Sequence, residues 1–163
     1  MTETPSRPDP VPPADAEAKA LAQDLLAIGH AALAWTDPDT RTPGISRIAF
    51  ARDPDFGLLT LISGLAPHFR ALRASPDCAL MLGEVGAKGD PLTHPRLMIS
   101  AQASFVAPDD PTRAAIRDRW LDRAPKARIY IDLPDFAFVR LTPLSALLNG
   151  GFARAFRLGP QEL

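Results

Sequence analysis

The sequence predicts a mainly β domain: a small six-stranded antiparallel barrel with peripheral helices. Three observations lead there. Short apolar runs recur from Ala31 to Leu141, turn signals such as DPDTRTPG and DPDFG separate them, and only two long segments repeat apolar residues at helical spacing. A doubly wound sheet needs strands that alternate with long helices, which this order does not supply. Closure into a barrel is expected because it leaves no unpaired strand edge.

Met1–Pro13 holds five prolines and is expected to be a disordered tail ahead of one domain over residues 14–163. From Ala14 the segment ADAEAKALAQDLLAIGH is rich in helix formers, places Leu21, Leu25, Leu26 and Ile28 on one side, and meets a stop at Gly29. Strands are expected over Ala31–Thr36, Ile45–Arg52 and Leu58–Ile62. A helix from Pro67 ends before Ser75-Pro76, and Cys78–Gly83 makes the fourth strand. After a loop over Glu84–Pro95 comes a long fifth strand, Arg96–Val106. DDPTRAAIRDRWLDRAP reads as the second long helix, with Asp109 and Asp110 in a favourable first turn and Ile116, Trp120 and Leu121 at helical spacing. Phe136–Leu141 is the sixth strand, and LSALLNGGFARAF has no clear assignment.

With 163 residues, 46% of them apolar, the chain suits one domain with one core. A net charge of -1 supplies no basic field to attract nucleic acid or an anionic membrane, so the expected partner is a small molecule or another protein. Met1–Pro13 lacks the basic start and apolar stretch of a secretory signal, no apolar run reaches transmembrane length, and Cys78 is the one cysteine. A cytoplasmic location is the expectation.

The segment LLTLISGLAPHFRALRASP carries the most chemistry. His68 and Arg70 stand in the first turn of a helix, where the backbone already presents positive partial charge. An anion would relieve that conflict, and Ser63, at the end of the preceding strand, adds a hydroxyl. A surface arginine after a turn fits the same residues. Arg47, flanked by apolar residues in SRIAF, belongs beside this cluster if its strand is an antiparallel neighbour, and is a plain exposed arginine if not. Gly83, Gly86 and Gly89 match no dinucleotide or nucleotide motif and describe a mobile loop. Next comes DPLTHPR, where Pro91 and Pro95 stiffen the chain and present Thr93, His94 and Arg96 together. His30, His68 and His94 have no metal-ligand spacing, so no metal site is expected. No nucleophile elbow and no acid–base pair is present, and catalytic residues stay unassigned.

Taken in order, SRIAFARDPDFG, LISGLAPHFRALRASPDCALMLGE, GDPLTHPRLMIS, LPDFAFVRL and LNGGFARAF resemble the FMN-binding split-barrel proteins related to pyridoxamine 5'-phosphate oxidase, and more narrowly the haem-utilisation branch of that superfamily. The resemblance runs from about Leu25 to Leu158. It implies a six-stranded antiparallel split barrel, a homodimer, and FMN in a cleft between subunits. By position, Arg47, Ser63, His68 and Arg70 would bind the FMN phosphate, and Arg96 would reach the flavin from the partner subunit. Phe69 stands where relatives carry threonine, and the tryptophan and arginine that hold the vitamin in the true oxidases have no match after Phe152, so that activity is not implied. The first expectation is therefore an FMN-dependent oxidoreductase acting on a small substrate. The alternatives are a haem-binding protein with His94 or His68 as iron ligand, and a non-catalytic dimeric binding or regulatory module.

Overall fold

The computed structural model describes residues 10–163. Helix α1 (Ala16–Leu26) starts at Asp15, whose carboxylate accepts the Ala18 N–H at 2.8 Å, and buries Ala18, Ala22, Leu25 and Leu26. Then follow β1 (His30–Thr36), β2 (Pro43–Ala49), β3 (Ala51–Asp53), β4 (Gly57–Ser63), α2 (Pro67–Ala74), β5 (Asp77–Leu82), β6 (Arg96–Phe105), α3 (Arg113–Arg123), β7 (Phe136–Asn149) and β8 (Ala155–Leu158). No helix among the described residues is long and apolar enough to cross a membrane.

All strand pairs are antiparallel, in the order β2-β1-β5-β6-β7-β4-β3, with β8 also on β7. The two ends of that path, β2 and β3, are separated in the chain by Phe50 alone. One bent strand therefore pairs with β1 before Phe50 and with β4 after it, and this closes the sheet on itself. Two hydrogen bonds pin the bend: the Phe50 N–H donates to Gly29 O at 3.0 Å, and the buried Thr60 hydroxyl donates to Ala49 O at 2.7 Å. A fully buried hydroxyl is thereby satisfied at the closure.

Burial follows strand position. In β6 every second residue from Leu97 to Ala103 is buried, which marks one face on the core and one turned outward. In β4 the five residues Leu58–Ile62 are all buried, because the barrel core lies on one side and a second core on the other. That second core packs Ile116, Trp120 and Leu121 of α3 against Leu59, Leu61 and Phe138. The continuous apolar run LLTLI thus reports a strand covered on both faces.

Several expectations are corrected. The sheet has eight strands where six were expected, because the strand over Ile45–Arg52 breaks at Phe50 and the unassigned tail forms the end of β7 and all of β8. β7 runs through Pro143 for 14 residues, with a shift of register opposite Ser100 and Ala101. The acids before α3 do not make its first turn: the helix begins at Arg113, and Asp110 instead accepts the Thr112 N–H at 2.8 Å and pairs with Arg140 at 3.2 Å. Of the expected tail, residues 1–9 lie outside the described residues. Pro13 bridges to Arg157, whose N–H donates to Pro12 O at 2.9 Å, so the chain is already docked on β8 before α1.

Candidate functional site

Three residues of the expected phosphate cluster have partners of their own within the chain. His68 is buried, and its Nδ1 lies 3.0 Å from Ser46 Oγ, which also accepts the Trp35 indole N–H at 3.0 Å. Ser46 points inward on β2, so its neighbour Arg47 points outward with Ile45 and Ala49. The Ser63 hydroxyl donates to Asp135 at 2.8 Å and accepts the Leu65 N–H at 3.2 Å. Arg70 reaches the turn between β1 and β2 and pairs there with Asp39, which supplies the anion that the helix start was expected to recruit.

Burial also sets the protonation of His68. Desolvation lowers its pKa below the ordinary imidazole value, so the ring is neutral at pH 7. A group whose folded pKa is depressed stabilises the fold above the unfolded value, near pH 6.5, and that stability is lost as pH falls through the folded value. Melting midpoints measured between pH 7 and pH 5 are therefore expected to decline in the wild type. His68→Gln should flatten that part of the curve, and parallel curves would refute the assignment.

Arg47 and Arg96 belong to a different arrangement, the outer face of the sheet. Register places Arg47, Ala32, Met81, Met98 and Leu147 in one row across five strands. At about 4.8 Å per strand the row spans about 19 Å. The adjacent row reads Ile45, Ala34, Ala79, Ser100 and Ser145. An outer face left in water is normally polar, yet Met81 is 51% exposed, Met98 47% and Ile45 76%.

The stiff loop before β6 rims this face. Arg96 Nη1 donates to Leu92 O at 3.0 Å, and Met81, His94 and Arg96 line one small cleft. The Gly86 N–H donates to His94 Nδ1 at a long 3.4 Å, so the ring proton sits on Nε2, which lies 3.0 Å from Lys88 O. Backbone thus orients one ring nitrogen while the lone pair of the other is only weakly held. That is how a metal-ligating imidazole is commonly prepared. Gly86 is glycine for a visible reason, since a Cβ there would come within 2.7 Å of the His94 ring. His30, at the same edge, faces Glu84 at 3.3 Å.

Two features escaped the sequence. Asp53, in the DPDFG turn, is 2% exposed and accepts the N–H groups of Asp55 at 3.0 Å and Phe56 at 3.2 Å, together with Arg119 at 2.7 Å and Arg123 at 3.2 Å. Burial alone would raise its pKa, but the two backbone donors and Arg119 outweigh it and hold the carboxyl below its ordinary value. The second is a cleft of about 500 Å³ between α1, the Phe50 bend and α3. The four-residue spacing of Arg119 and Arg123 was the available signal for the first, and the second had none.

No protein-family model matches the chain. The chain is 33% identical over 120 residues to the unconventional chloroplastic heme oxygenase HOZ of Arabidopsis thaliana, covering 74% of this chain and 35% of that protein, so it spans about a third of the relative's length. A protein of unknown function from Agrobacterium tumefaciens is 32% identical, with 96% of this chain and 65% of the other covered and a TM-score of 0.78. HutZ, the heme storage protein from Vibrio cholerae, is 25% identical over 85% of this chain and 96% of its own, with a TM-score of 0.72. At 17% identity and a TM-score of 0.61, over 83% of this chain and 99% of the other, a pyridoxamine 5'-phosphate oxidase-type protein from Listeria innocua shares the fold.

Proposed function

We propose, from the likeness to HOZ and HutZ, that the chain belongs to the haem-utilisation branch of the split-barrel proteins related to pyridoxamine 5'-phosphate oxidase and that it binds haem on the outer face of its sheet. The observation that carries this reading is the meeting of Met81, His94 and Arg96 in one cleft at the rim of an apolar sheet face, with Arg47 in the same cross-strand row as Met81. Haem asks for such a set: apolar area for the macrocycle, an imidazole for iron, and guanidinium groups for the carboxylates. Bound haem would supply an iron centre whose reactivity depends on its axial ligand and surroundings. His94 would hold the iron through Nδ1, with Lys88 O keeping the other nitrogen protonated. Arg47 would pair with a propionate, and Arg96 fixes the loop that carries His94.

We rank FMN below haem because Ser63, His68 and Arg70 are each engaged by another side chain and Arg47 lies on the outer face of the sheet. We also infer a homodimer. An apolar antiparallel face of this breadth is covered most simply by a second copy of itself, which would leave the ligand between two chains. A reducing, cytoplasmic setting suits the lone Cys78, whose thiol is pushed up to about 11 by burial and by Asp77.

Titration with haemin, followed in the Soret band, tests the reading. The wild type is expected to shift the band with saturation, and His94→Ala to bind about ten-fold more weakly or with a displaced maximum. His68→Ala should leave the band unchanged. Absence of saturable binding by the wild type, or identical spectra for His94→Ala, would remove the proposal. FMN in a parallel titration distinguishes the two cofactors.

A further inference from the structure

The cleft between the C-terminal ends of α1 and α3 and the Phe50 bend has no part in the haem reading, since no histidine lines it and a single chain forms it. Its volume is about 500 Å³, and Leu26, Phe50 and Trp120 make its apolar walls. Arg52, Arg123 and Gln23 supply the long polar side chains, and no carboxylate lines it.

The donors outnumber their partners. Gln23 Nε2 is committed to Glu162 O at 3.0 Å, but Arg52 makes only a 3.4 Å bond to Leu163 O. Arg123 makes a 3.2 Å contact to an Asp53 carboxylate that Arg119 already holds at 2.7 Å. A guanidinium has five N–H donors, so both arginines keep donors in reserve. Trp120 is 4% exposed, and its indole Nε1 is the one buried side-chain nitrogen or oxygen among the described residues without a hydrogen-bond partner. That nitrogen is closed to solvent, so Trp120 offers the cleft the surface of its ring and not a donor. Two guanidinium groups with donors to spare and aromatic walls together suit an anion with a flat apolar body.

We propose that this cleft is a binding site for a small aromatic carboxylate. The carboxylate is held by Arg52 and Arg123, and the ring system packs against Leu26, Phe50 and the Trp120 ring. Size agrees, since ligand pockets commonly measure about 300–1,000 Å³.

Proton–nitrogen NMR of the indole groups gives a direct test, because the chain has two tryptophans and Trp35 already donates to Ser46. Trp35→Phe assigns the two signals. Addition of 2-naphthoate is expected to move the Trp120 signal with saturation and to leave that of Trp35 in place. The neutral 2-naphthamide should bind about ten-fold more weakly, and Arg52→Gln should weaken naphthoate about five-fold with the melting midpoint of the free protein unchanged. Arg123→Gln should weaken it similarly, and Arg119 stays on Asp53 in that variant to preserve the fold. A Trp120 signal unmoved by millimolar naphthoate, equal affinity for acid and amide, or full affinity in both arginine variants would overturn the proposal. The measurement uses haem-free protein, so its outcome is independent of the haem titration.

Discussion

Replacement of Asp53 by alanine is expected to destabilise the fold by about 2–3 kcal/mol, the usual result of leaving buried donors without their acceptor. For a chain of this length that corresponds to a fall in melting midpoint of about 10 °C. The carboxylate takes four donors at once: two N–H groups of its own turn and one guanidinium from each of Arg119 and Arg123 on α3. Alanine leaves the turn N–H groups unpaired and frees two arginines beside a core that includes Trp120 and Leu121. Asp53→Asn keeps an acceptor for the turn but loses the charge, so it should fall between alanine and the wild type. Because its folded pKa is depressed, Asp53 stabilises the protein above about pH 4, and this contribution is lost as pH falls through the folded value. Urea denaturation at pH 7 and at pH 3 should show the gap between wild type and Asp53→Ala shrinking in acid. A midpoint for the alanine variant within about 2 °C of wild type would show that Asp53 does not dock α3.

The second large effect is expected on the outer face. Met81→Asp combined with Met98→Asp should convert the protein from dimer to monomer in sedimentation, with self-association weakened by about a thousand-fold or more. The two methionines are direct cross-strand neighbours, and a two-fold interface would bring four new carboxylates together in an apolar contact. Both side chains are about half exposed in the single chain, so the substitutions should leave the monomer fold and its melting midpoint nearly unchanged. Haem binding should weaken in parallel, since the proposed site then loses its second wall. A wild type that sediments as a monomer, or a double variant that remains dimeric, would refute the dimer.

Much of the fold was legible because its signals are local. The DPDTRTPG and DPDFG turns, the helix formers of α1 and the proline that opens α2 each depend on residues a few positions apart. The outward position of Arg47 also follows from the inward facing of Ile48, which the alternation of the strand requires. The end of β7 was not legible, because Pro143 and the exposed Leu144 interrupt the pattern where the strand is irregular. Trp120 and Leu121 were expected to face a core, but nothing nearby in the chain shows that their core is a separate one beyond β4 and β7.

By itself the sequence determined that this is a mainly β barrel with amphipathic helices, because a period of two and the chemistry of a turn act over a few residues. Only the tertiary structure decided that Phe50 closes the barrel, that Arg70 answers to Asp39, and that Arg119 and Arg123 answer to Asp53. Those partners lie 31, 66 and 70 residues apart in the chain. A charge is satisfied by whichever opposite group the folded backbone brings within a few ångströms, and local pattern carries no record of that distance.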